Sequence, residues 1–247
     1  MIASEHGSNR LRPHPAIVAL AVCAAAMLAP PAHAAQASAE YALRWSAKGN
    51  NMADAKAVLQ TLKLKSDDKD NYEVQYFDLT PPADAPPGAT SILRQRRKGK
   101  DKYELTFKYR SDAPFKKPAL RAWTCPLPGA DESKDELDVS FSADTQPMQV
   151  YSRSCSVETR KTAPLPPAAL AARSRGCISR FTRHTAGRLK IEEWTLANGE
   201  RLIEVSRSEQ DSADARARFQ RDIVAPLLRT GVTPTERSKT ELGGSCS

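Results

Sequence analysis

Between Ser91 and Arg110 the chain reads SILRQRRKGKDKYELTFKYR, and its cations recur at the spacing of a pleated strand. Alternate residues of a strand point to opposite faces. Arg94 and Arg96 therefore share a face with Ile92, while Glu104, Thr106, Lys108 and Arg110 share one opposed by Tyr103, Leu105, Phe107 and Tyr109. The intervening Lys98-Gly99-Lys100-Asp101 is predicted to close a β-hairpin, with Gly99 supplying the backbone freedom. Guanidinium groups suit bidentate contact with phosphate, and ammonium groups act as point charges. The chemistry on offer is recognition of a polyanion. Like charges facing one another inside a fold repel and lose hydration, so carboxylates or a bound anion must compensate them. Glu104, Glu192 and Glu204 fall on the matching faces of their strands by period-two parity.

The rest of the chain supplies elements to hold these groups. EYALRWSA (40–47) reads as a first strand, and Asn51 is placed to cap a helix running to about Lys63, with Ala55, Val58, Leu59 and Leu62 on one face. YEVQYFDL (72–79) is a second strand, ended by TPPADAPPG, which cannot continue a ladder. After the hairpin, Leu120 to Cys125 suggests a short strand. DESKDELD (131–138) fits helix or strand, a turn surrounds Asp144 to Pro147, and MQVYSRSCSVE (148–158) is a strand. Beyond Pro164 to Pro167 come three more: CISRFTRH (177–184), RLKIEEWTL (188–196) and ERLIEVSRS (200–208), the last two joined by the hairpin signal Asn198-Gly199. Asp211 or Ser212 caps a helix to about Leu228, with Ala215, Phe219, Ile223 and Leu227 as its apolar stripe, and TPTERSKTELGG forms a tail.

Composition sets the compartment and the partners. The first 34 of 247 residues carry Arg10 and Arg12, an apolar run from Ala16 to Leu28, and a small-residue pattern ending at Ala34. This is the pattern of a secretory signal peptide cleaved near Ala34, and the apolar run is short for a bilayer span. The expected product is exported, periplasmic or secreted, has no transmembrane segment, and forms a single domain over residues 35–247. The formal charge of +8 falls to +7 without Glu5, Arg10 and Arg12. A basic balance suits phosphate polymers, nucleic acid or an anionic surface. The sparse aromatics offer little for base stacking and argue against nucleic acid. Cys125, Cys155, Cys177 and Cys246 remain after cleavage, an even number that favours disulfides in an exported protein, with three connectivities open. No C-x-x-C spacing suggests zinc, and His184 is the one histidine beyond residue 34. Trp123 and Trp194 are expected to pack. Glu193 should face away from Glu192, and Asp78 should serve as a strand-end hydrogen-bonding group. No catalytic residue is assigned.

The order of YFDL (76–79), LRQR (93–96), LTFK (105–108), LIEVS (202–206) and SKT (238–240) resembles the CYTH family, also called triphosphate tunnel metalloenzymes; residues 112–176 match nothing in that pattern. The resemblance implies an α+β, mainly β fold: a closed or nearly closed eight-stranded antiparallel barrel with a charged interior and flanking helices. It makes Arg94, Arg96 and Lys108 phosphate ligands, with Arg183, Lys190 and Lys239 as further members. It makes Glu40, Glu192 and Glu204 holders of Mg²⁺ or Mn²⁺. The ligand it implies is tripolyphosphate, polyphosphate or a related phosphoanhydride, and the activity a metal-dependent triphosphatase. Two positions depart from the pattern. Where the family has Glu-x-Glu-x-Lys this chain has Glu40, Ala42 and Arg44, and where it has Glu-x-Glu this chain has Glu204 and Ser206. Thinned carboxylates weaken a site for a hard, oxygen-seeking cation, so the chain is expected to bind a polyanion more firmly than to cut one. The alternative is a non-catalytic envelope protein, structural or interacting, whose basic sheet is simply solvated. Oligomeric state is left open.

Overall fold

Period-two alternation dominates the chain, and the computed structural model, which describes residues 38–115, 123–131, 133–143, 146–244 and 246, turns it into a closed sheet. The strands are β1 (Ser38–Ser46), β2 (Asp68–Asp78), β3 (Thr90–Lys98), β4 (Lys102–Ser111), β5 (Lys134–Phe141), β6 (Met148–Arg160), β7 (Arg173–Ala186), β8 (Leu189–Thr195) and β9 (Arg201–Gln210). They close in the order β1-β5-β6-β4-β3-β2-β7-β8-β9.

Two expectations are corrected here. The barrel has nine strands among the described residues instead of eight, and it is not wholly antiparallel, because β1 pairs with β5 in parallel and with β9 antiparallel. The acidic run supplies the extra strand. Glu136 and Asp138 alternate with Leu137, Val139 and Phe141, a half-buried strand pattern that carries its apolar side outward and its carboxylates inward.

Two apolar cores lie outside the barrel wall, and a third cluster, with Tyr76, Ile92 and Trp194, lines part of the interior. One joins Tyr41, Leu43 and Trp45 of β1, Val139 of β5, Ile191 of β8 and Ile203 and Val205 of β9 to Phe219, Val224 and Leu227. Phe219 ends the covering helix α2 (Ala213–Phe219), Leu227 lies in α3 (Ala225–Leu228), and Val224 ends the π-helical turn over Gln220–Val224 that connects them. Ser212 caps α2 by accepting from the Ala215 amide. The second core packs Leu93, Leu105, Phe107 and Tyr109 beneath Trp123, Leu127 and Leu170. With much of the hydrophobic driving force satisfied outside, the rest of the interior is free to be polar, unlike a small barrel filled by apolar side chains.

The first helix, α1 (Ala55–Thr61), begins later than expected. Asp54, not Asn51, is its N-cap, and Glu193 Oε1 accepts from the Ala55 amide, so Glu193 does face away from Glu192. The segment read as a tail contains α4 (Lys239–Gly243), started by a capping box in which Ser238 and Glu241 satisfy each other's backbone amides. Disulfides join Cys125 to Cys155 and Cys177 to Cys246, the second tying the end of the chain to β7. Trp123–Cys125 forms no strand, and the remainder of that expected strand, the turn at Asp144 and Thr145, and the signal segment 1–34 lie outside the described residues. Among the described residues no helix is long and apolar enough to cross a membrane.

Candidate functional site: a charged barrel interior

The sheet register fixes which side chains meet inside. Arg44 of β1 lies opposite Glu204 of β9, Glu204 opposite Glu192 of β8, and Glu192 opposite Arg183 of β7. Across the barrel, Arg94 and Arg96 of β3 oppose Thr106 and Glu104 of β4. Parity then brings Glu40, Lys190, Lys108, Arg110, Glu136 and Asp138 onto the same inner face. Eight of the nine charged residues expected to bind phosphate or metal therefore share the inner face of the barrel by register, the ninth, Lys239, reaches Glu204 from α4, and Glu40, Arg94, Lys108 and Lys239 line one inner hollow.

Cations and carboxylates interleave. Arg183 donates from Nε and Nη2 to Glu192 Oε1 at 2.9 and 2.6 Å, and Trp194 Nε1 donates to Glu192 Oε2 at 2.9 Å. Lys239 Nζ bridges Glu204 Oε1 at 2.5 Å and Glu192 Oε2 at 3.2 Å. Arg44 Nε pairs with the other oxygen of Glu204, and its Nη1 reaches Ser140 Oγ at 2.8 Å. Glu192 and Glu204 are 1% and 0% exposed, so two adjacent carboxylates survive burial only because Lys239, Arg44 and Arg183 surround them. Burial opposes ionisation of Glu192, but Lys239 and Arg183 outweigh it and bring its pKa down to about 2. The reciprocal field of Glu192 and Glu204 holds Lys239 protonated against its own burial.

The hairpin side is more loosely compensated. Glu104 pairs with Arg96 and, at 3.3 Å, with Arg94, and accepts from Thr106 Oγ1 at 2.7 Å. Burial opposes its charge, yet Arg96 and Arg94 lower its pKa to about 2. Arg96 moves the other way for an arginine: burial, then the neighbouring Arg94, and more weakly Arg183, lower its pKa while Glu104 opposes. Lys108 stands 3.7 Å from both Glu136 and Asp138, and Arg110 takes Asp138 at 2.6 Å. The Nε donors of Arg94 and Arg110 are buried without partners.

Two hollows follow from this packing. An inner one of about 90 Å³ is lined by Glu40, Arg44, Arg94, Lys108, Asp138 and Lys239. An outer one of about 520 Å³ opens at the hairpin end among Arg96, Lys98, Lys102, Glu104 and Arg160. At the opposite end Leu242 of α4 joins Tyr76, Trp194 and Leu202 in an apolar cluster, and Ser179 Oγ donates to Gly243 O at 3.0 Å.

The expected metal ligands do not assemble. Glu192 and Glu204 have their oxygens taken by Arg183, Trp194, Lys239 and Arg44, while Glu40 makes no ion pair within 4.0 Å among the described residues. No group of three or more His, Cys, Asp and Glu able to hold an ion occurs among the described residues. A divalent cation between Glu192 and Glu204 would have to displace Lys239, so these donors do not fit a resident Mg²⁺ or Mn²⁺.

No family model matches this chain, and no curated protein does. Among solved structures it is similar to the PH1012 protein of Pyrococcus horikoshii OT3, at 13% identity and a TM-score of 0.43 over 82% of this chain and 98% of that one. It is likewise similar to a conserved hypothetical protein of Pyrococcus furiosus, at 13% identity and 0.43 over 82% and 99%. A candidate adenylate cyclase of Vibrio parahaemolyticus is similar at 12% identity and 0.42, over 84% and 98%.

Sequence reading missed Arg110, Asp138, Glu136 and Arg44 as members of the interior. Parity carried the signal for Arg110, which shares its face with Lys108. For Asp138 it was hidden by a segment that fitted either helix or strand. Trp194 packs as expected, stacked on Phe181 with ring centroids 4.3 Å apart, and its indole also orients Glu192. Asp78 ends β2 and accepts from Arg175 Nε at 2.9 Å, in line with a strand-end role.

Proposed function

We propose that residues 35–247 form one exported, CYTH-like domain whose barrel binds a linear phosphate-rich polyanion, tripolyphosphate or a longer polyphosphate, along its interior. The observation that carries this reading is the inward convergence of Arg94, Arg96, Lys108, Arg183, Lys190 and Lys239 in a closed barrel. Arg94 lines the inner hollow and Arg96, two residues along the same strand, the outer one. A linear anion entering from the hairpin end would thus meet guanidinium groups in succession. Burial and the neighbouring Arg94 both press on the charge of Arg96, and an anion beside the two would relieve it. The partnerless Nε donor of Arg94 offers a hydrogen bond, and the ammonium of Lys108 is held only loosely.

The alternative of a basic sheet exposed to solvent is less well supported, because these cations face inward. Hydrolysis is not part of the proposal, since no metal-ligand set among the described residues supports a step in it. Calorimetric titration of the purified protein with tripolyphosphate at low ionic strength tests the reading. Saturable one-to-one binding that weakens with added salt is expected, and absence of any binding isotherm overturns it.

A further inference from the structure

One patch of the interior is built from short side chains where its surroundings are charged. Ala42 of β1 lies directly opposite Ser206 of β9, and Ser206 lies opposite Lys190 of β8 on its other side. Ala42 is 1% and Ser206 0% exposed, and Ser206 Oγ has no hydrogen-bond partner. Glu40 and Arg44 flank Ala42 on the same face of β1. Lys190 is the cross-strand neighbour of Ser206, Lys239 and Arg44 both reach Glu204 two residues before Ser206 on β9, and Glu40 makes no ion pair within 4.0 Å among the described residues. Buried hydroxyls ordinarily find a partner. An orphaned Ser206 Oγ opposite Lys190 is suited to an oxygen-rich anion.

We infer that the barrel takes its polyanion free of divalent metal, with Lys239, Lys190 and Arg44 standing around the Ala42–Ser206 gap in the place of a carboxylate-held cation. The inference rests on the proposed binding of a phosphate polymer and goes beyond it by naming the form of the ligand. A divalent ion placed in the gap would face these monocations with Glu40 as its nearest uncommitted carboxylate, and at the short distances of a buried site that repulsion is weakly screened. A phosphate group in the adjoining inner hollow meets the partnerless Nε of Arg94 and the loosely held ammonium of Lys108. A metal-complexed polyphosphate would bring two positive charges into a cavity already supplied with its own, and would present fewer free oxygens to Arg94 and Lys108.

The experiment is titration of the purified protein with tripolyphosphate, once in excess EDTA and once in excess Mg²⁺, together with Mn²⁺ titration of the protein alone followed by electron paramagnetic resonance. The inference expects the dissociation constant in EDTA to be equal to or lower than that in Mg²⁺, and the free Mn²⁺ signal to be undiminished by the protein. Binding at least tenfold tighter in Mg²⁺, or stoichiometric loss of the free Mn²⁺ signal, overturns it while leaving the proposed polyanion binding standing. Binding in neither condition overturns the proposed function itself, and this inference with it.

Discussion

Ala42 and Ser206 are direct cross-strand partners on β1 and β9. They are also the two positions at which carboxylates of the family pattern are missing, so the two departures form one patch of short side chains on the inner face instead of two scattered losses. The neighbouring carboxylates, Glu192 and Glu204, are engaged by Lys239, Arg44 and Arg183. Cations are left facing the interior, while these two carboxylates are committed to ion pairs.

Arg94→Ala combined with Arg96→Ala removes the guanidinium pair shared between the two hollows. Hydrogen bonds to charged groups contribute about 1.5–3 kcal/mol each, so the double variant is expected to bind tripolyphosphate at least about 100-fold more weakly. Calorimetry measures this, and far-ultraviolet circular-dichroism spectra establish that the barrel is intact. Retained affinity in a folded variant removes the hairpin from the site.

Lys239→Met leaves Glu192 and Glu204 side by side without their shared ammonium. Removing one partner from a buried charge pair costs about 3–5 kcal/mol, and urea unfolding of the variant should show a loss of that order. Adding Glu204→Gln should recover part of it, because the remaining carboxylate keeps Arg183 as its partner. Additive losses in the double variant would show that the ammonium is not coupled to Glu204.

Glu104 and Glu192 ionise in the folded chain with pKa values of about 2, against an ordinary 4.5. Depressed carboxylate pKa values contribute stability that is fully present above the unfolded value and is lost as protons bind below it. The urea midpoint is therefore expected to hold steady down to about pH 4.5 and to fall between there and about pH 2. A midpoint unchanged across that window would contradict the ion pairing described for both residues.

Cys177–Cys246 closes a separation of 69 residues and fastens the chain beyond α4 to β7. Cys177→Ser should cost about 2–5 kcal/mol of stability, the usual range for a native disulfide. Amide exchange in residues 239–243 should accelerate more than in β3 or β4, because Leu242 and the Ser179–Gly243 hydrogen bond would then hold α4 without a covalent anchor. Equal acceleration everywhere would show that the bridge secures the whole barrel and not this end in particular.

The hairpin was readable because strand parity needs no tertiary information: the alternation from Ile92 to Arg96 and from Tyr103 to Arg110 assigns each side chain its face directly. Its closure into a barrel is a property of long-range pairing, and the parallel β1–β5 contact, between strands roughly a hundred residues apart, left no local mark. The strand at Lys134–Phe141 was ambiguous because its inward carboxylates read equally well as a solvated acidic face. The terminal helix was missed for another reason. Its capping box, Ser238 to Glu241, was present in the sequence, but five residues cannot sustain a helix alone, and α4 depends on Leu242 packing into the barrel and on the nearby disulfide. The pairing of Lys239 with two carboxylates could be inferred only once that helix was in place.

The central claim, that the barrel interior is the polyanion site, is tested most directly by a crystal structure of the protein with tripolyphosphate. The account predicts phosphate density inside the barrel, within hydrogen-bonding distance of Arg94, Arg96 and Lys108. Ordered tripolyphosphate on the outer surface, with the interior ion pairs unchanged from those described, would contradict it.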